Sequence, residues 1–146
     1  MPDAEILSAP LVLEYPFKRT VGPVQSAFLT GLREGLVVGV RTADGRVLCP
    51  PVEYDPASGA PLTKLVPVAS EGQVVTWSWN EQVRDGQPFD RPFAWALVQL
   101  DGADTTMLHA VDAPQDAMAA GLRVRVRFAE ERDGSLSDIE CFEPVG

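Results

Sequence analysis

The chain has 146 residues, of which 45% are apolar and 23% charged, enough for one medium domain whose core needs neither disulfide nor metal. Basic side chains number 12 against 21 acidic ones, and the net charge of −9 argues against a nucleic-acid surface, while no apolar run approaches the roughly 20 residues of a membrane helix. The acidic start, Met1-Pro2-Asp3-Ala4-Glu5, does not resemble a signal peptide; Cys49 and Cys141 lie far apart in apolar contexts and read as buried thiols, so a cytoplasmic setting is expected.

Residues 1–22 read as an arm, interrupted by Pro2, Pro10 and Pro16 and closed by Gly22-Pro23. Leu11, Val12, Leu13, Tyr15 and Phe17 make it too apolar for a solvated tail, so it is expected to pack on its own domain or on a partner. Pro23 to Arg33 reads as a helix, with proline in the first turn, Gly35 at the exit, and Val24, Ala27, Phe28, Gly31 and Leu32 on one face. Leu36 to Val40 follows as a strand and Val47 to Cys49 as its short partner, stopped by Pro50-Pro51.

The two turns flanking this pair share a skeleton. The first is Arg41-Thr42-Ala43-Asp44-Gly45-Arg46 and the second is Asp55-Pro56-Ala57-Ser58-Gly59. With cysteine at positions 41, 44, 55 and 58 the segment would carry ribbon-type zinc spacing. Arg41, Asp44, Asp55 and Ser58 stand there instead, so a metal-free hairpin is expected. Arg41 is expected to pair with Asp44 or Asp55, Ser58 to donate to a backbone carbonyl, and Leu48, Val52 and Tyr54 to supply most of the holding by packing. An exposed pair of this kind is worth only about 0–1 kcal/mol.

From Leu65 onward the texture is all-β. Gln73 to Asn80 alternates, with Val75, Trp77 and Trp79 on one side and Val74, Thr76 and Ser78 on the other. A loop at Arg84–Pro88 precedes strands at Phe93–Leu100 and Thr105–Val111, and Asp112 is placed to cap a short turn over Ala113–Ala120. Leu122 to Ala129 points Val124, Val126 and Phe128 inward and Arg123, Arg125 and Arg127 outward; Asp133-Gly134 then turns into a last strand, Leu136–Phe142. Regular short strands with one small helical turn before the fourth predict an OB-fold-like Greek-key barrel. The chain is thus expected to be mainly β, with an arm and helix over 1–35, a ribbon-like hairpin over 36–66 and the barrel over 67–146.

Catalytic patterns are missing from the sequence. His109 is the lone histidine, and no serine lies in a nucleophile elbow. Neither a Walker loop nor a dinucleotide fingerprint occurs, and Asp101, Asp104 and Asp112 read as loop carboxylates. Trp77, Trp79 and Trp95 read as barrel core or as an aromatic platform. In an acidic chain such a platform suits a protein better than stacked bases. Arg123, Arg125 and Arg127 read as a polar outer face or as a basic strip for a partner, in preference to direct binding of a phosphate.

Helix Phe28–Gly35, the ribbon with Gly45, Pro50-Pro51 and Gly59, the strand Pro92–Gly102 and the segment Ala120–Phe128 follow one another as in the DUF35 family, which the chain resembles over most of its length. In that family an OB-fold follows a zinc ribbon, and members are typically small partner subunits of thiolase-like acyl-CoA enzymes. The resemblance implies a non-catalytic accessory subunit in a hetero-oligomer, with no cofactor, serving a thiolase, a condensing enzyme or a retro-aldolase of steroid or other lipid catabolism. The family's zinc site does not carry over, because its ligand positions are vacated. Tyr15, Phe17, Pro50, Pro51, Tyr54, Trp77, Trp79, Arg123, Arg125 and Arg127 are the expected partner contacts. The rival expectations are a single-strand nucleic-acid binder and a stand-alone acyl-CoA-binding or hydrolytic protein.

Overall fold

The structure is a computed structural model and describes residues 4–146. One helix and eight strands follow the arm: α1 (Pro23–Arg33), β1 (Val37–Arg41), β2 (Val47–Leu48), β3 (Lys64–Val68), β4 (Glu71–Asn80), β5 (Phe93–Leu100), β6 (Met107–Val111), β7 (Arg123–Phe128) and β8 (Ile139–Pro144). Strands β2, β1 and β3 form a small antiparallel sheet in that order. The remaining strands close into a barrel of order β4-β5-β6-β8-β7, the connectivity of an OB-fold. A 3₁₀ turn at Gln115–Ala117 occupies the crossover before β7.

The helix forms where its apolar period requires. Val24, Phe28, Gly31 and Leu32 are buried, and Pro23 stands in the first turn. No side chain of its own caps it. The carboxylate of Glu53 does so from a distance, accepting the N–H groups of Val24 at 3.3 Å and Gln25 at 3.0 Å.

Helix, small sheet and barrel share one core. A single buried cluster runs from Phe28 and Leu32 through Val37, Val47 and Cys49 to Val98, Val111 and Phe142. Polar bonds reinforce the junction. Asp104 accepts the N–H of Val47 through Oδ2 at 2.8 Å and donates its own N–H to Val47 O at 2.8 Å. Thr105 Oγ1 accepts the N–H of Cys49 at 2.8 Å and donates to Cys49 O at 2.9 Å. Both residues tie the loop between β5 and β6 to the β2 segment. The expected division at 66/67 falls inside β3.

Four local expectations need correction. The alternation read for β4 is broken by a bulge: Val74 pairs with Val98 and Thr76 with Leu97, which leaves Val75 unpaired. Val74 therefore faces the core together with Trp77 and Trp79, while Val75 is 44% exposed. The second correction concerns Asp112, which caps nothing; Arg91 and Arg127 occupy its carboxylate. The last strand starts late, because Leu136–Asp138 is a 3₁₀ turn held by buried Asp138, which accepts the N–H groups of Asp133 and Gly134. Strand β3, which had no counterpart in the sequence reading, is the fourth.

Candidate partner interface

The two turns of the small sheet lie side by side, each closed by backbone bonds and by a glycine in the left-handed region. Thr42 N donates to Arg46 O at 2.8 Å with Gly45 at φ 90°, and Asp55 N donates to Ala60 O at 2.8 Å with Gly59 at φ 74°. The ion pair between them uses a different arginine from the expected one. Among the described residues Arg41 reaches no carboxylate; its Nη1 donates to Gly45 O at 3.1 Å. Arg46 bridges the turns instead, with Nε 3.0 Å from Asp44 Oδ2 and Nη2 3.2 Å from Asp55 Oδ1. Ser58 also differs, since its Oγ accepts the N–H of Ala60 at 3.3 Å and donates to no carbonyl.

The hydroxyl of Thr42 donates to Asp44, and with the Arg46 guanidinium it holds that carboxyl below the ordinary carboxylate range. Asp55 Oδ1 additionally accepts the N–H of Ala57 at 2.8 Å. Beneath this network Leu48, Val24, Val40 and Leu62 form a second small core, with Val52 packed on it. Tyr54 takes no such part: it is largely exposed, and its backbone makes an isolated bridge to Pro61 outside the sheet.

The arm lies outside both cores. Ile6, Leu7, Leu11, Val12, Leu13, Tyr15 and Phe17 are each between 70% and 90% exposed. Of the two expected destinations, its own domain is therefore excluded in this structure. Pro50 is also exposed, whereas Pro51 is buried.

Trp77 and Trp79 form no exposed platform. Half-buried, they pack on the barrel core opposite Ala96 and Ala94, where a large side chain fills the space left by a small one. The Trp79 indole N–H donates to Glu81 at 2.7 Å. Nor are the three arginines of β7 a free basic strip. Arg123 forks onto Asp101 at 2.9 and 2.5 Å, and Arg125 Nε lies 3.0 Å from Glu143. Arg127 reaches Asp112, Glu140 and Glu143 at 2.9, 2.6 and 3.1 Å. Asp101 and Glu143 are held below their usual range by these arginines, so the face is a neutralised lattice.

Of the three tryptophans weighed as a platform, Trp95 stands on the outside of β4–β6, in an apolar face whose leucines the sequence analysis does not single out. Leu97 pairs with Leu108, and Trp95 stands beside them opposite Ser78 and Ala110. Leu108 is 60% exposed, and Thr76, Trp95, Leu97 and Leu108 border one shallow hollow. The strand pair β5–β6 is the second and third of the barrel, the face on which OB-folds present ligand-binding side chains. Here it presents apolar groups and no cation.

Nucleophilic chemistry finds no support in the thiols. Burial pushes both Cys49 and Cys141 up to about 12, so each stays protonated near neutral pH. His109 is buried, Nδ1 accepts the N–H of Ala110 at 2.8 Å, and burial lowers its pKa. Among the described residues, three or more histidine, cysteine, aspartate or glutamate side chains nowhere gather as a metal site, and no helix is long and apolar enough to cross a membrane.

Residues 65–129 match the family described as ChsH2, C-terminal OB-fold domain. No curated protein matches the sequence. A DUF35-family protein of unknown function from Sulfolobus solfataricus shares the fold with a TM-score of 0.63 at 14% identity, over 85% of this chain and 87% of that one. A structure described as Ltp2-ChsH2(DUF35) aldolase shares it with a TM-score of 0.63 at 20% identity, over 87% of this chain and 98% of that one.

Proposed function

We propose that this chain, an OB-fold protein of the DUF35 family, is a non-catalytic accessory subunit that binds a thiolase-like acyl-CoA enzyme of the retro-aldolase kind. The observation that carries the reading is the arm, in which seven large apolar side chains are 70% or more exposed. Keeping that much apolar surface in water is unfavourable at about 25 cal/mol per Å², and contiguous exposed apolar surface marks an interaction site. The apolar β5–β6 face adds a second surface, built on the barrel, with Trp95 as an aromatic anchor of the kind that dominates interface energies. Likeness to a structure described as an aldolase complex supports an enzyme as the partner. Protonated thiols and a buried, lone histidine support a role without catalysis.

The nucleic-acid reading draws no support from the barrel, because the face that would stack bases lacks cations to meet the phosphates. Co-expression with a thiolase-like acyl-CoA enzyme of the same organism tests the proposal. A complex that survives size-exclusion chromatography is expected, and separate elution of the two proteins would contradict it.

A further inference from the structure

Arg41 and Lys64 stand directly opposite each other at the end of the β1–β3 ladder. Directly opposed like charges share one face of an antiparallel pair, with Cβ atoms about 5 Å apart, and destabilise it unless an anion intervenes. Five other cations, Arg46, Arg91, Arg123, Arg125 and Arg127, meet carboxylates. Among the described residues, Arg41 and Lys64 have no carboxylate within salt-bridge distance, although the sequence supplies 21 acidic side chains.

Both residues line a hollow of about 320 Å³ that also borders Thr42, Gly45, Asp55 and Thr63. The bond from Arg41 Nη1 to Gly45 O fixes the guanidinium at the rim and leaves its other N–H groups as donors. Asp55 is the one carboxylate of the lining, and Arg46 and the N–H of Ala57 already engage its Oδ1. The lining thus sets two cations, Arg41 and Lys64, against one carboxylate that is already engaged.

We propose that this hollow binds the phosphate group of a small phosphorylated molecule, held by the Arg41 fork, the Lys64 ammonium and the Thr63 hydroxyl. A guanidinium beside an ammonium suits a tetrahedral dianion better than a carboxylate, because it matches two oxygens at once and supplies a second charge. The assignment stands apart from the partner reading, and either can fail without the other.

A titration of the full chain with inorganic phosphate, followed by amide NMR at constant ionic strength, tests it. Saturable shifts confined to Ala43, Gly45, Thr63 and Lys64 are expected, with phenyl phosphate binding at least as tightly and acetate much more weakly. Arg41→Ala and Lys64→Ala are each expected to weaken binding about tenfold, the loss of one charge-assisted contact. Arg33→Ala, an exposed cation elsewhere, should leave it unchanged. Absence of saturation, equal affinity for acetate, or full affinity in Lys64→Ala would overturn the proposal; the amide spectrum itself reports whether each variant is folded.

Discussion

Arg46 and Asp55 join the two turns of the small sheet: Nη2 of one lies 3.2 Å from Oδ1 of the other, and the Asp55 side chain is only 7% exposed. Replacing the guanidinium leaves a nearly buried carboxylate with one backbone donor. Arg46→Met is expected to cost about 1–2 kcal/mol, the penalty of an under-satisfied buried polar group. Urea unfolding measures it. The double variant Arg46→Met/Asp55→Asn should recover part of the loss, since an unpaired charge is costlier than a missing pair.

Acid should weaken the fold in two steps. His109 has a lowered pKa through burial, so its contribution is present above the ordinary histidine value of about 6.5 and is lost as pH falls below it. Asp44, Asp101 and Glu143 are also lowered, by Thr42 and Arg46, by Arg123, and by Arg125 and Arg127. Their contribution is present above the usual carboxylate range and is lost as pH falls through still lower values. Melting temperature against pH is expected to show both steps, and His109→Gln should remove the upper one alone.

Glu53 caps the first turn of α1 although it lies 28 residues beyond Gln25 in sequence. Glu53→Ala frees two first-turn N–H groups and is expected to cost about 1 kcal/mol, read as a fall in the urea midpoint. Gly22→Ala should act through the same contact, because a Cβ there would lie 2.3 Å from the Glu53 carboxylate oxygen.

Much of this fold is legible in the sequence, and the misses have physical causes. Pattern and turn glycines locate α1, β5 and the OB connectivity closely. Strand β3 is hidden by Pro67, a residue that argues against a strand yet is tolerated here at a sheet edge opposite Val38. Val75 shows why period alone misleads: a single bulged residue reverses the phase of everything before it. The choice between Arg41 and Arg46 rests on side-chain direction around a tight turn, which spacing does not encode.

The apolar content of the arm leads to the expectation that it packs on its own domain or on a partner, and its exposure leaves only the second, as proposed. The outer leucines of β5–β6 carry a signal in the sequence as well. Phe93–Leu100 is apolar at seven of eight positions, and a barrel strand with only one face buried would alternate. Leu108→Glu on the outer face should leave the melting temperature unchanged within about 1 °C, as expected for an exposed site, while weakening partner binding at least about tenfold through a buried charge. Arg125→Ala serves as the contrast, because that side chain is occupied by Glu143 and should matter little to binding.

In the proposed assembly the arm and the β5–β6 face join this chain to a thiolase-like acyl-CoA enzyme. Light scattering on the co-expressed pair measures it most directly, with the full chain set beside a chain lacking residues 1–20. A stable hetero-oligomer of defined mass is expected for the full chain, and a folded but unassociated state for the truncated chain. Equal complex formation by both chains, or no complex with either, would contradict it.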